Sequence, residues 1–241
     1  MAAKRVMIIQ HMVWEGPGGH LVETLSDLGV TWDICQIWRE PLPALESFEG
    51  LIVLGGSPNV DEEETYPYLV HLKSLIGEVI AKGKAYLGFC LGHQLLGDVL
   101  GCRVGPLPQK CVGLQLAELT PAGVSHPVFA GLPQIMQLFK WHGQGVHLPV
   151  PPGVTVLATS SQAPVEAIGL PYNPQVVGVQ FDNHVKAHDV AQWLASDADW
   201  ALAGTNIEPA ALISAVKTHE TAMGQEFRRF LHNFLELAQL L

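Results

Sequence analysis

An apolar stretch interrupted by a cysteine between glycines constrains the fold of this chain more than any other feature. It extends from Lys84 to Gly101 and contains Gly88-Phe89-Cys90-Leu91-Gly92-His93-Gln94. Residues 85–89 are short and apolar enough for a buried strand, and apolar residues from 91 to 100 recur at helical spacing. The pattern predicts a strand, a sharp turn at Cys90 and a helix.

Cysteine at such a turn is suited to nucleophilic chemistry. The neighbours Gly88 and Gly92 leave room for a strained backbone and for a substrate. A helix that begins at Leu91 directs its unpaired N–H groups at the sulfur, which favours the thiolate and provides donors for an oxyanion. A lone cysteine is more often a buried structural residue. The glycines, His93 and Gln94 around Cys90 favour the functional interpretation instead.

Composition and charge limit the classes of partner. With 241 residues, 48% of them hydrophobic, the chain can bury a sizeable core, and we expect a single domain over residues 1–241. There are 13 basic and 23 acidic residues, giving a net charge of −10, and no run of Lys or Arg exceeds a pair. This argues against nucleic acid and favours small-molecule or protein partners.

Cysteine spacing and hydropathy predict a cytoplasmic protein. The four cysteines include no C-x-x-C pair, so we expect free thiols. The apolar run Val6–Ile9 is too short for a signal segment, and no apolar stretch is long enough to span a bilayer. We therefore expect no membrane association.

Alternating strand and helix patterns predict the architecture. Apolar strand patterns occur at Val6–Ile9, Thr31–Ile37 and Gly50–Leu54, with helical patterns between and after them. We therefore expect an α/β fold: a three-layer, flavodoxin-like sandwich around a mostly parallel sheet. Past Gly101, short extended runs broken by Gly and Pro predict a small antiparallel insertion.

Gly55-Gly56 and Cys90 both follow predicted strands. Active sites of open parallel sheets lie at the carboxyl ends of the strands, so both elements should share one edge of the sheet.

The residues around Cys90 resemble the nucleophile elbow of the class I glutamine amidotransferases. The resemblance implies that Cys90 attacks the γ-amide of glutamine and forms a glutamyl thioester. It also implies one oxyanion donor at the Leu91 N–H and another at the Gly56 N–H, because Gly55-Gly56 is similar to the family's G-G-P loop. Gln94 would help to hold the substrate.

A second segment carries the same resemblance. Trp141-His142-Gly143-Gln144 is similar to the family's W-H-G-D segment, which borders the glutamine pocket. By this resemblance the backbone of Gly143 and Gln144 contacts the amino-acid head of the substrate. Seen alone, His142 is more typical of a loop histidine than of a ligand.

The chain departs from the family pattern at its last core strand. The family has Q-F-H-P-E there, with a basic His and an orienting Glu, whereas this chain has Gln180-Phe181-Asp182-Asn183-His184. Because side chains on a strand alternate, Asp182 and His184 share one face, so both stay catalytic candidates in exchanged order. An ionised Asp182 about 4 Å from a Cys90 thiolate would oppose it by about 4 kcal/mol at an effective dielectric near 20.

Two classes of function remain open at this stage. One is a free-standing hydrolase that cleaves glutamine or a γ-glutamyl peptide, with ammonia passing to a partner synthase or leaving as product. The other is a catalytically degenerate module that binds glutamine or a synthase. His184 and His188 are four residues apart, but without a third placed ligand they make a weak metal site, so no metal and no cofactor are expected.

Overall fold

The computed structural model describes residues 4–241, in which nine strands form one continuous sheet. The strands are β1 Arg5–Gln10, β2 Thr31–Gln36, β3 Gly50–Val53, β4 Ala85–Phe89, β5 Val104–Leu119, β6 Ile135–Val146, β7 Thr155–Thr159, β8 Ala167–Leu170 and β9 Asn173–Val179. The helices are α1 Gly19–Asp27, α2 Tyr68–Ala81, α3 Leu91–Val99, α4 Pro121–Ser125, α5 Ala187–Leu202 and α6 Pro209–Leu237. Short 3-10 turns lie at Leu45–Ser47 and Pro127–Phe129.

The sheet is mixed, with strand order β2-β1-β3-β4-β9-β8-β7-β5-β6. The four pairings from β2 to β9 are parallel and the four from β9 to β6 are antiparallel. The prediction of a mostly parallel sheet with a small insertion was therefore wrong, although the α/β class is confirmed. The antiparallel strands continue the central sheet through β9, because β8 pairs with β9 on the side that β4 leaves free.

Helices pack on both faces of this sheet, as the alternation along β1 shows. Val6 and Ile8 lie in one core with residues of α1 and α6, including Leu21, Phe227 and Leu231. Met7 and Ile9 lie in the opposite core with apolar residues of α2 and α3. A strand buried on both faces is apolar throughout, which is the pattern that the sequence showed at β1, β3 and β4.

An aromatic cluster joins the C-terminal helices to the antiparallel half of the sheet. Phe139 and Trp141 of β6 pack against Trp193 of α5, with ring centroids 6.1 and 5.8 Å away. Together with Val216 of α6, they form a third core beside the carboxyl ends of the parallel strands. None of the helices described is both long and apolar enough to cross a membrane.

Candidate active site

Cys90 occupies a strained turn between β4 and α3. Its φ is 46° and its ψ is −103°, in the positive-φ region that residues other than glycine rarely adopt. A Cβ on Gly88 would overlap the Gly92 carbonyl, and a Cβ on Gly92 would overlap the Val53 carbonyl. These glycines therefore let α3 begin directly against β3 and β4, and the predicted strand, turn and helix are all present.

A cavity of about 350 Å³ opens at this turn. Six parts of the chain meet around it: the loop after β1, the loop after β3, the Cys90 turn with the start of α3, strand β5, the end of β6, and helix α5. Its lining comprises Trp14, Glu15, Gly56, Ser57, Pro58, Asn59, Cys90, Gln94, Pro106, Lys110, Trp141, His142, Gly143, Gln144, Asp197 and Trp200. All but three of the site residues that the sequence pointed to are among them; the exceptions are Leu91, Asp182 and His184.

The thiol of Cys90 is buried and is surrounded by acidic groups. Burial raises its pKa well above the ordinary value, and the Asp182 and Glu15 carboxyls raise it further. The Leu91 N–H and the Gln180 side chain act in the opposite direction. At rest the sulfur is therefore a thiol, and it lies 3.8 Å from the Trp141 carbonyl oxygen.

The two predicted catalytic residues outside the cavity lining are Asp182 and His184. Strand β9 ends at Val179, and the Val185 N–H donates to the Asp182 carbonyl, so the segment is a turn and not the extended strand that the sequence predicted. Asn183 fixes this turn against β6, accepting from the Phe139 N–H at 2.8 Å. The turn brings Asp182, rather than His184, to the Cys90 thiol.

Asp182 is fully buried and no hydrogen-bond partner is found for its carboxyl oxygens among residues 4–241. Burial, followed by the Glu15 carboxyl, raises the pKa of Asp182 well above its usual range. Burial disfavours the ionised form of Asp182, and this ionised form is the one that raises the pKa of the Cys90 thiol.

His184 lies in an apolar environment on the far side of the turn. Its ring centroid is 4.5 Å from that of Phe89 and 6.4 Å from that of Phe227. Its Nδ1 is 4.0 Å from Asp182 Oδ1, beyond hydrogen-bond length. Burial lowers the pKa of His184 to about 3.

The two predicted oxyanion donors belong to the loop after β3 and to the start of α3. Gly56 lines the cavity, and the Leu91 N–H acts on the thiol from the start of α3. Neither the Gly56 N–H nor the Leu91 N–H donates to a backbone acceptor in the described part of the chain. A Cβ on Gly56 would come within 2.7 Å of His11 Cβ, so the loop after β3 can approach the turn only with glycine at this position.

Gln94, Gly143 and Gln144 are brought together as the sequence predicted. Gln94 Nε2 donates to the Gln144 carbonyl at 3.0 Å and to Gln180 Oε1 at 3.3 Å. These residues, and His142 with them, belong to strand β6 or pack against it, so His142 is not a loop histidine. Its Nδ1 lies 2.8 Å from the Gln144 carbonyl oxygen.

Sequence reasoning missed the acidic and aromatic groups of the cavity. Glu15 follows β1 with only 5% of its surface exposed, and burial together with the Asp197 charge raises its pKa to about 8. The signal was present, because Glu15 follows the first predicted strand just as Cys90 follows the fourth strand. Only the sheet order shows that these strand ends lie close together.

Helix α5 provides the outer wall. Asp197 interrupts this helix with φ −136° and ψ 20°, and its carboxylate accepts from the Trp141 indole N–H at 3.2 Å. A Cβ on Gly143 would lie 3.3 Å from the Trp200 ring, and Lys110 lies over that ring at 4.8 Å. Within residues 4–241, no group of three or more His, Cys, Asp or Glu side chains is arranged to hold a metal ion.

Comparison with known proteins gives a consistent assignment. The model of the glutamine amidotransferase class-I family matches residues 19–184. The chain is 32% identical over 174 residues to glutamine amidotransferase-like protein YfeJ of Salmonella typhimurium, covering 68% of this chain and 70% of that protein. A crystal structure of a glutamine amidotransferase from Thermotoga maritima superposes with a TM-score of 0.88 at 26% identity, over 98% of this chain and 100% of that one.

Other relatives carry two different activities in their names. The chain is 30% identical over 181 residues to a glutamine-hydrolyzing GMP synthase subunit of Sulfurisphaera tokodaii, covering 75% of this chain and 90% of that protein. It is 26% identical over 165 residues to gamma-glutamyl peptidase 5 of Arabidopsis thaliana, covering 66% of this chain and 64% of that protein. It spans only 23% of the glutamine-hydrolyzing GMP synthase of Thermomicrobium roseum.

Proposed function

Because this chain belongs to the glutamine amidotransferase class-I family, we propose that it hydrolyses the γ-amide of glutamine, or of a γ-glutamyl compound, through a thioester on Cys90. One observation carries the proposal: the thiol stands on a strained strand-to-helix turn at a cavity, where the Leu91 N–H acts on it and the Gly56 N–H makes no backbone hydrogen bond among residues 4–241. A nucleophile elbow with two oxyanion donors requires such an arrangement, which supports the proposal. A structural cysteine requires neither the strain nor the free donors.

In the proposed reaction the Cys90 sulfur adds to the γ-carbonyl carbon. The Leu91 and Gly56 N–H groups bind the developing oxyanion, and the carbon–nitrogen bond then breaks to leave a glutamyl thioester. Water hydrolyses the thioester and returns the thiol. Burial favours the uncharged form of Asp182 and so limits the negative charge near the sulfur, whereas His184 does not line the cavity.

We assign the amino-acid head of the substrate to the Gln94, Gly143 and Gln144 end of the cavity. These residues line the cavity together with the tryptophans Trp14 and Trp200. A cavity of about 350 Å³ leaves space for an amine larger than ammonia. Similarity to a gamma-glutamyl peptidase supports a γ-glutamyl peptide as substrate. Similarity to a GMP synthase subunit supports transfer of ammonia to a partner synthase.

A non-catalytic binding module is the second candidate, favoured by the raised pKa of Cys90 and the buried position of His184. Such a module would bind glutamine in the same cavity without turnover. It predicts that substrate protects the protein from unfolding while no ammonia or amine is released.

The test uses the full chain with glutamine and with γ-glutamyl peptides. We expect release of glutamate, labelling of Cys90 by a glutamine-like diazo-ketone, and loss of both in Cys90→Ala. Loss of a nucleophile of this type costs about 10⁴- to 10⁶-fold in turnover. Cys102→Ala is the matched control, because Cys102 is another buried thiol close to α3 that lies outside the cavity lining. Normal turnover by Cys90→Ala would contradict the proposal.

A further inference from the structure

Glu15 is the acidic side chain of the cavity that approaches the Cys90 turn. It lies in the loop that joins β1 to α1, two strands away from β4 in the sheet order β1-β3-β4. A Cβ built on Gly55 would overlap Glu15 Oε1 and would lie 3.3 Å from Cys90 Cβ. The carboxyl oxygen and the base of the nucleophile therefore converge on the same side of Gly55.

The Glu15 carboxyl is largely buried but makes no polar contact in the described part of the chain that would stabilise the fold. Only 5% of the residue is exposed, and it lines the same cavity as Cys90. No salt bridge or side-chain hydrogen bond to Glu15 occurs within residues 4–241. Unlike the Asp182 oxygens, the Glu15 oxygens are not among the fully enclosed polar atoms without a partner, so the Glu15 carboxyl is open to the cavity.

The other candidate bases fit less well. His184 does not line the cavity and packs against Phe89. His142 does line it, but burial lowers the pKa of that imidazole to about 3, which makes it a weak proton acceptor. Asp182 has no partner and is fully enclosed, so a proton taken by its carboxyl has no direct path to the cavity.

We propose that Glu15 is the catalytic base of this site, receiving the Cys90 thiol proton and delivering it to the leaving nitrogen. The inference rests on the proposed γ-glutamyl hydrolysis and names the group that replaces the histidine of the Q-F-H-P-E pattern. The proposed proton acceptor lies on the loop after β1, whereas the sequence indicated Asp182 and His184.

Proton and electron movements balance through one carboxylate. In acylation, Glu15 takes the sulfur proton as the sulfur–carbon bond forms, and it gives that proton to nitrogen as the carbon–nitrogen bond breaks. In deacylation, Glu15 takes a proton from water as oxygen adds to the thioester carbon. The carbon–sulfur bond then breaks, and the proton returns to sulfur. The net change is hydrolysis of one amide by one water.

The charged and titratable groups that face Glu15 come from several elements. They are Cys90 at the turn, Asp182 after β9, Asp197 of α5, Tyr68 of α2, and Lys110 and His142 of the cavity lining. Burial and the Asp197 charge raise the pKa of Glu15 to about 8, so it becomes a base only as pH rises through that value. Turnover should therefore rise with pH around 8, instead of around the ordinary histidine pKa near 6.5.

The experiment compares native protein, Glu15→Gln, Glu15→Asp and the control Glu23→Gln, which changes an exposed carboxylate on α1. We expect Glu15→Gln to lower kcat by about 10²- to 10⁴-fold and to abolish the rise near pH 8. Glu15→Asp should retain part of the activity, and Glu23→Gln all of it. Gly55→Ala, whose added Cβ displaces Glu15, should lose activity in the same way if Glu15→Gln folds poorly.

A second measurement separates a base from a purely structural group. Alkylation of Cys90 by iodoacetamide, followed by peptide mass spectrometry, reports the thiolate fraction. Because the ionised Glu15 carboxylate raises the pKa of Cys90, Glu15→Gln should shift the alkylation midpoint to lower pH even though hydrolysis becomes slower. A distorted site would slow both reactions.

Three results would overturn the inference. Turnover by Glu15→Gln close to that of native protein would exclude Glu15 as the base and leave the proposed hydrolysis intact. A raised KM with unchanged kcat would show that Glu15 binds the substrate ammonium group instead. Absence of both turnover and Cys90 labelling in native protein would reject the proposed function itself, and the base with it.

Discussion

Two buried carboxyls on neighbouring parts of the sheet have opposite surroundings. Glu166, just before β8, is fully buried and forms an ion pair with the equally buried Lys140 of β6. Ser160 donates to the same carboxylate oxygen at 2.5 Å and accepts from Lys140 at 2.9 Å. Asp182, just after β9, is as buried as Glu166 but has no partner for its carboxyl among residues 4–241.

The difference separates a buried charge that is neutralised within the fold from buried carboxyls that have no counter-ion among the described residues. In the antiparallel half, a buried charge is met by a countercharge and a hydroxyl, so the energetic cost of burial is offset locally. At the carboxyl ends of the parallel strands, Asp182 and Glu15 are left without partners, and their pKa values rise instead. Of these two, only Glu15 lines the cavity, so it is the candidate for proton exchange with a substrate.

Breaking the structural pair should have the largest effect on stability. Glu166→Ala leaves the Lys140 ammonium buried without its countercharge, and we expect a loss of about 3–5 kcal/mol in the free energy of unfolding. The double variant Lys140→Met, Glu166→Leu removes both charges and should recover most of that loss. Urea unfolding of the three proteins measures both effects. Equal destabilisation by the single and double variants would show that packing, and not the charge, is responsible.

Glu15→Gln should have the opposite effect, stabilising the protein at neutral and alkaline pH. The folded-state pKa of Glu15 is raised from 4.5 to about 8, so the native protein loses stability through this group as pH rises across that window. The amide does not ionise. The variant should therefore match native protein near pH 4 and gain on the order of 3 kcal/mol over it by pH 7. Thermal unfolding at several pH values tests this, and a difference that does not vary with pH would contradict it.

His184→Leu extends the comparison from buried acids to a buried base. Burial lowers the folded-state pKa of His184 to about 3, whereas the unfolded chain takes up its proton near 6.5. Native stability is therefore lost through this group as pH falls from about 6.5 towards 3. The variant should lose about 2 kcal/mol less than native protein between pH 7 and pH 5. We also expect its turnover to retain the rise near pH 8, so disappearance of activity would return His184 to the role of base.

The smallest expected effect concerns the wall of the cavity. The Asp197 charge contributes to the raised pKa of Glu15, and Asp197→Asn removes that charge while keeping an oxygen that accepts from the Trp141 indole. The midpoint of the pH dependence of turnover should fall by about half a unit, equivalent to about 0.7 kcal/mol. A pH profile of kcat for the variant and native protein measures it, and a shift to higher pH would contradict the proposed coupling.

Much of the fold was readable from local patterns. The turn at Cys90 was predicted because an apolar strand pattern, two glycines and a helical pattern meet there within a few residues. The parallel strands were equally visible, since burial on both faces makes them continuously apolar. Strand β8 was not identified, and the extent of the antiparallel half was underestimated, because long-range pairing has no local signature.

The sequence alone determined the nucleophile candidate, the glycines beside it and the departure at residues 182–184, because each depends on residue types within a short segment. The tertiary structure decided which acidic groups act on the Cys90 thiol. Strand β9 ends before Asp182, so the alternation that would have paired Asp182 with His184 stops, and His184 is packed against Phe89. Glu15 comes to the cavity from a loop 75 residues earlier in the chain than Cys90, through a sheet order that only the pairing of distant strands establishes. The pKa of each group then follows from its burial and its neighbours, which are properties of the folded state and not of the residue type.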